Sequence, residues 1–261
     1  MYVQSYLSSR LGLIVDAVVT QMMIPQAKQK SAPSATDKKT SQTLFYGRDG
    51  LAAYTHDPAS FPSTRVLYYT DKFVVIDDLY PKAAIHLLIL PRDTTKNVIR
   101  PQEAFDDPVF LAECQTEEKK VRAMVASELR RRYGKHSASD RPRLEAMEAD
   151  DPPDVLPAGR DWSKDVISGT HANPSMNHLH IHVLSRDMVS DPMKKRNHYL
   201  SFTTDFLIRM DEYPLAEGDR RRRYGHFPED MLCWRCGRNF VNKMARLKEH
   251  LDEEFEDWKK E

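Results

Sequence analysis

The sequence predicts an α+β protein, an antiparallel sheet with one long helix, followed by a small cysteine-bearing module. Three observations carry this. Short apolar runs come in neighbouring pairs, Val66–Thr70 with Phe73–Asp77 and Val166–His171 with His178–Leu184. One long amphipathic stretch lies between the pairs, and a Cys-x-x-Cys follows a polar, Arg-rich segment near the C-terminus.

In chain order, the first 42 residues are read as a flexible or unassigned segment. Leu11–Ile24 is apolar but too short to span a bilayer, and it contains Asp16. Acids are scarce before Asp37, which leaves a mitochondrial-type leader open, yet Arg10 is the sole base before Lys28. Gln26–Gln42 has no apolar period and reads as a linker. Structure is expected to begin near Thr43, with a short helix over Arg48–Tyr54 stopped by Asp57-Pro58.

Val66–Thr70 and Phe73–Asp77 are strands joined at Asp71-Lys72, and Ile85–Leu90 is a third, ended by Pro91. Asp107 as N-cap and Pro108 at the first helical position announce the long helix. Its apolar stripe is Phe110, Cys114, Val121, Val125 and Leu129, and Gly134 is read as its stop. Cys114 is thus a small buried hydrophobe. Lys135–Arg160 is polar, acidic and Pro-containing, so a surface insertion is expected. Two further strands follow, Val166–His171 and His178–Leu184, with Tyr199–Ile208 as a candidate for another. The main α+β unit is therefore set at 43–209, and 210–261 is a basic linker with the cysteine-bearing module.

The 261 residues carry 39 basic and 39 acidic side chains, a formal net charge of zero. The charges are unevenly placed, acidic at Glu145–Asp154 and Asp252–Asp257, basic at Lys194–Arg196 and Arg220–Arg223. Neutrality of the whole does not exclude a nucleic-acid partner, because binding depends on a local positive face. Three cysteines, two of them in Cys-x-x-Cys, argue for a reducing compartment and metal binding rather than a disulfide framework.

The most informative segment is His178-Leu179-His180-Ile181-His182. Strand alternation puts the three imidazoles on one face and Leu179, Ile181 and Val183 on the other. Such a face is costly to bury and is expected to line a polar cleft. A solvated His-rich edge strand fits the flanking Val, Leu and Ile poorly. A three-histidine zinc site is the sharper rival. Cα atoms four residues apart in a strand lie roughly 13 Å apart, whereas zinc–nitrogen bonds are about 2.0–2.1 Å. One ion would need a sharply bent strand to meet all three rings.

These residues resemble the histidine-triad nucleotide hydrolases and transferases. The wider match, His171-Ala-Asn-Pro-Ser-Met-Asn-His-Leu-His-Ile-His182, resembles the aprataxin branch. Asp78-Leu-Tyr-Pro-Lys82, His86-Leu-Leu-Ile-Leu-Pro-Arg92 and His198-Tyr-Leu-Ser-Phe202 resemble further parts of that branch. The resemblance runs from about Thr43 to the C-terminus and weakens across Lys135–Arg160.

The resemblance implies a HIT-like fold and a covalent mechanism. His180 would attack the α-phosphorus, His178 would orient it, and His182 would donate to a non-bridging oxygen. His171 would contact the departing group, a 5′-phosphate that leaves readily as an anion. Asp78 would bind the ribose hydroxyls, Lys82 the phosphate or DNA end, and Ser175 phosphate. Taken alone, Lys82 is an ordinary solvated lysine, and His86 is read as a satisfied strand histidine.

Cys233-x2-Cys236-x13-His250-x3-Glu254 has zinc-finger spacing, with glutamate at the fourth position. His250 and Glu254 are one helical turn apart. Phe240, Met244, Leu247 and Leu251 would form a miniature core, and a metal would staple so small a unit. Glu253 is the alternative fourth ligand. A metal-free tail with an incidental or redox-active Cys-x-x-Cys is the bland reading. Aprataxin-like proteins of fungi share the Cys-Cys-His-Glu pattern, which strengthens the resemblance.

Arg235, Arg238, Lys243, Arg246 and Lys248 are candidate DNA-phosphate contacts. Arg48 and an aromatic at Phe45 or Tyr46 are candidates for the DNA end, where a ring would stack. The resemblance implies a nuclear DNA-repair hydrolase, with a mitochondrial fraction open. It would release AMP from 5′-adenylated DNA, nicked or with RNA–DNA junctions, as a monomer without membrane association. One structural zinc per chain is expected, and no metal in the catalytic cleft. The rivals are a general histidine-triad hydrolase (phosphoramidase or dinucleoside polyphosphate hydrolase) and a non-enzymatic zinc-finger DNA-binding protein.

Overall fold

The computed structural model describes residues 45–261 apart from 224–225. The expectations for residues 1–42 lie outside the described residues. The expected Arg48–Tyr54 helix is split into a 3-10 turn, Gly47–Asp49, and a short helix α1, Ala52–His56, which ends before Asp57-Pro58.

Six antiparallel strands form one sheet: β1 Val66–Tyr69, β2 Phe73–Asp77, β3 His86–Pro91, β4 Val166–His171, β5 Ile181–Ser185 and β6 Leu207–Ile208. Their order is β1-β2-β3-β5-β4-β6. A short helix α2, Pro101–Ala104, precedes the long helix α3, Pro108–Tyr133. The Asp107 side chain accepts from the Val109 and Phe110 amides, as an N-cap should. Phe110, Cys114, Val121, Val125 and Leu129 all face the core, packed with Val75, Leu87, Ile89, Ile181 and Val183 on one face of the sheet. Gly134 is not a left-handed stop. It keeps helical dihedrals and leads into a 3-10 turn, and a Cβ there would sit 3.1 Å from Asp140 Oδ2.

The opposite face carries two apolar clusters. Val74, Ile76, Leu88 and Leu90 pack with Leu51 and Tyr54 of the N-terminal segment. Leu184 and Leu207 pack with Tyr199, Leu200 and Phe202 and with Met231, Phe240, Leu247 and Leu251. With both faces covered, β2 and β3 read as continuous apolar runs rather than alternating ones. The histidines of β3 and β5 lie on this face.

Three expectations are corrected. The strand expected from His178 begins at Ile181, because the Leu179 amide donates to Asn97 O in a loop instead of to a neighbouring strand. Tyr199–Ile208 is chiefly a helix, α5 Arg196–Thr203, and only its last two residues are strand. Its apolar residues are buried on both sides, between sheet and finger, which removed the helical period from the pattern. Lys135–Arg160 contains helix α4, Arg141–Glu148, and is not simply a surface insertion. Ser137, Asp140 and Arg160 in it are buried and hydrogen-bonded.

The segment read as a basic linker lies on the sheet and α3. Met210, Tyr213 and Leu215 join the main core. Arg220, Arg221 and Arg222 are ion-paired with Asp205, with Glu212 and Asp219, and with Asp106, so this cluster is not a free positive face. Gly169 gives the chain at the end of β6 room beside β4, since a Cβ there would meet Ile208 O at 2.3 Å. The finger is a small hairpin, bridged at Leu232 and Asn239, followed by helix α6, Met244–Trp258. Its apolar residues are not a self-contained core but share one with α5. No described helix is long and apolar enough to cross a membrane.

Candidate active site and metal centre

His86 and His182 stand on neighbouring strands, with His171 at the end of β4 and His180 and His178 just before β5. His178, His180 and His182 are only 2%, 5% and 5% exposed, so they are enclosed rather than lining an open polar cleft. Burial of uncharged imidazole is tolerable where its nitrogens find partners. The hydrogen bonds show how.

His180 Nδ1 lies 2.7 Å from His178 O. A carbonyl only accepts, so Nδ1 carries the proton and Nε2 keeps its lone pair. Lys82 N donates to His86 Nδ1 at 3.1 Å, which places the His86 proton on Nε2. That Nε2 lies 2.9 Å from His182 Nδ1. His182 Nδ1 therefore accepts, and its Nε2 holds the proton. His182 Nε2 and His171 Nε2 are shielded and have no partner among the described residues. Buried polar atoms of this kind call for a partner from a ligand. The His171 and His182 rings are 4.4 Å apart, and Phe202 packs edge-on against His86 and His182.

Burial holds every one of these imidazoles below the usual histidine range. For His86, desolvation dominates over the opposing Asp78 charge and brings it to about 4. For His171, desolvation and then His180 bring it to about 3. His178, His180 and His182 shift the same way, desolvation first in each. The triad is thus neutral at physiological pH.

The other sequence candidates are placed unevenly. Asp78 Oδ1 accepts from the Tyr80 amide, and Oδ2 is 3.5 Å from His86 Nε2, so the carboxylate leans inward toward the histidines. Lys82 Nζ donates to Tyr80 O, and burial lowers its ammonium pKa. Ser175 is exposed in the loop before the triad, and Arg48 Nε donates to its carbonyl at 2.9 Å. Arg48 thereby bridges the N-terminal segment to that loop. Tyr46 is 82% exposed, while Phe45 packs on His56 at 5.7 Å, so Tyr46 is the free aromatic.

Sequence reasoning missed the parts of His86, Phe202 and Thr55. Thr55 Oγ1 is 3.2 Å from His178 Nε2. His86 had a legible signal in the His86–Arg92 match, but its pairing with the triad strand is given only by the fold. Phe202 lies in the His198–Phe202 match, which gave it no role, and Thr55 had no signal, because its contact crosses from a distant helix.

In the finger, ligand atoms of Cys233, Cys236, His250 and Glu254 all lie within 4.8 Å of one another. Two thiols, an imidazole and a carboxylate at that separation suit a tetrahedral ion with bonds of about 2.0–2.3 Å, the chemistry of a zinc site. Glu253 is 81% exposed and its oxygen is 4.0 Å from His250 Nδ1, on the far ring nitrogen. Glu254 is on Nε2 at 3.2 Å. Arg235 pairs with Glu254 and Glu261, so it is not free for DNA phosphate, whereas Lys243 is exposed at the start of α6. Asp78, His86 and His182 also lie within 4.8 Å of one another. Two of their ligand nitrogens are already joined by the His86–His182 hydrogen bond.

Comparison with known proteins agrees with both halves. Residues 62–189 match the HIT domain model, and 203–257 match the C2HE / C2H2 / C2HC zinc-binding finger. The chain is 30% identical to an aprataxin-like protein of Schizosaccharomyces pombe over 241 residues, 91% of this chain and 93% of that one. It is 32% identical to an aprataxin-like protein of Saccharomyces cerevisiae, covering 80% of this chain and 95% of the relative. Among solved structures, the aprataxin ortholog Hnt3 from Schizosaccharomyces pombe superposes with TM-score 0.64 at 28% identity, over 84% of this chain and 96% of that one. Hnt3 in complex with DNA and guanosine gives TM-score 0.63 at 28% identity, over 81% and 96%.

Proposed function

The chain belongs to the aprataxin-like family of histidine-triad proteins, and from that premise we propose that it is a DNA-repair hydrolase that removes AMP from 5′-adenylated DNA ends. The observation that carries the chemistry is the His180 Nδ1 contact with His178 O, which leaves Nε2 as an unprotonated nucleophile. Nε2 forms a bond to the α-phosphorus while the bond to the bridging oxygen breaks, and the DNA 5′-phosphate departs with that oxygen. The proton stays on Nδ1, hydrogen-bonded to the His178 carbonyl, so the ring becomes an imidazolium, a good leaving group. Water then attacks phosphorus, AMP leaves, one water proton is released, and His180 regains its lone pair.

His182 Nε2–H is the donor for a non-bridging oxygen, where charge develops. His171, low in pKa, orients the departing phosphate instead of delivering a proton, and that group leaves as an anion without one. Asp78, Lys82 and Ser175 are assigned to ribose and phosphate. The zinc is structural: Cys233, Cys236, His250 and Glu254 would hold it, and it would brace the finger.

DNA as partner is supported by the related Hnt3 complex with DNA. It is also supported by the exposed Lys243 at the start of α6 and by the exposed ring of Tyr46, of the kind that stacks on a duplex end. A general nucleotide hydrolase would need neither. Nicked and RNA–DNA junction substrates, a monomeric state, and a nuclear location with a mitochondrial fraction complete the proposal. Incubation of the purified chain with 5′-adenylated nicked duplex should release AMP. Absence of AMP release, with turnover of a small adenosine phosphoramidate, would favour the general hydrolase.

A further inference from the structure

The segment 135–165 surrounds the end of the finger's helix. Arg160 is 9% exposed, with its guanidinium 4.1 Å from the Trp162 ring and 4.9 Å from the Trp258 ring. Its Nε and Nη2 donate to Asp165 Oδ2 at 3.1 and 2.9 Å, and Nη1 donates to Trp258 O at 2.5 Å. Trp258 Nε1 donates to Asp165 Oδ1 at 2.8 Å, and Ala138 N donates to Lys260 O at 2.8 Å. Asp140 holds the floor, accepting from Arg160 N at 2.9 Å and Trp162 Nε1 at 2.7 Å.

The last carbonyls of a helix have no intrahelical donors, and a cation there is favoured by the helix dipole. Here both needs are met by another part of the chain. We propose that segment 135–165 is a cradle that fixes the tilt of the zinc finger relative to the triad, with Arg160 as its positioning residue. The proposal rests on the reading of the finger as a DNA-contacting element.

Elsewhere the finger is held at its hairpin, where Tyr199 Oη donates to Leu232 O and accepts from Trp234 N, and by Leu247 and Leu251 of α6, which share an apolar core with α5. Apolar packing is non-directional, so the directed hydrogen bonds at the C-terminal end of α6 are what fix its tilt. The 15 residues of α6 span roughly 20 Å at 1.5 Å per residue. A tilt of about 6° at the cradle would then move Lys243, at the far end, by about 2 Å. That displacement is enough to break phosphate contacts while leaving the His180 pocket unmoved. Glu254 is coupled to the same anchor, because Arg235 pairs with Glu254 and Glu261, and Glu261 lies 3.6 Å from Arg160.

The test uses the full, zinc-loaded chain carrying Arg160→Ala, with Arg160→Gln as a second variant should the first fold poorly. KM for 5′-adenylated nicked duplex should rise about tenfold to a hundredfold, as misplacement of a contact does. Turnover of adenosine 5′-phosphoramidate and the zinc content should match wild type. Amide hydrogen exchange should quicken in α6 and in the 232–240 hairpin. Equal losses on both substrates would overturn the proposal by making the segment a brace for the pocket. Unchanged KM, or unchanged exchange in the finger, would overturn it as well. Failure of the wild type to act on adenylated DNA would strike the functional reading, and the exchange data would still judge the cradle.

Discussion

His86 Nε2 lies 2.9 Å from His182 Nδ1, and this contact sets which nitrogen of His182 carries its proton. Without the His86 donor, the buried His182 ring loses its fixed tautomer. His86→Ala should lower kcat for AMP release by about 10²-fold, the usual cost of a lost charge-stabilising donor, with little change in KM. His86→Gln, whose amide can donate to Nδ1, should recover part of it. Wild-type kcat in His86→Ala would show that the tautomer chain is dispensable.

His180→Ala should cut AMP release by about 10⁴-fold or more while DNA binding persists. Quenching wild type in base should preserve a labelled protein–AMP adduct, and the variant should show none. Near-normal turnover in the variant would rule out the covalent path.

Acid should weaken both activity and stability. His171 and His86 are held down to about 3 and about 4, below the unfolded histidine value near 6.5. In that interval the unfolded chain binds more protons than the folded one, so stability falls as pH drops below 6.5 and is insensitive to these groups above it. His180 is shifted the same way, so kcat/KM should stay flat from pH 8 down to below 6.5. Melting temperature and kcat/KM from pH 4 to 8 test both. An activity limb centred at or above 6.5 would contradict an enclosed, neutral nucleophile.

Zinc should bind at one ion per chain through the finger. Glu254→Ala should weaken its retention about tenfold to a hundredfold, whereas Glu253→Ala should leave it unchanged. Metal content after dialysis against a chelator reads this directly. A second ion lost on His182→Ala would place metal among Asp78, His86 and His182 and favour a metallohydrolase.

Tyr46→Ala should raise KM for adenylated duplex by the loss of about 1–3 kcal/mol of stacking, and leave a small adenylate unaffected. Phe45→Ala should act mainly on the fold of the N-terminal segment, since that ring packs on His56. Binding titrations of both variants at two salt concentrations separate stacking from phosphate contacts. The reverse pattern would reassign the stacking ring to Phe45.

The long helix, the hairpin of β1 and β2, β4 and the spacing of the four metal ligands were legible in the sequence. Each is set by local rules: a cap at Asp107, a period of 3.6 from Phe110 to Leu129, two thiols on one turn, and His250 and Glu254 one turn apart. The three histidines were legible as a cluster for the same reason. What only the tertiary structure decided was their environment. His180 depends on its own neighbour's carbonyl, but His182 depends on His86 across a strand pair, and His178 on Thr55 more than a hundred residues away. The helix over Arg196–Thr203 hid its period because it is buried on two sides, and the 135–165 segment hid its role because its partners are the last residues of α6. Local spacing is written in consecutive residues, whereas protonation, burial and anchoring come from atoms that only folding brings together.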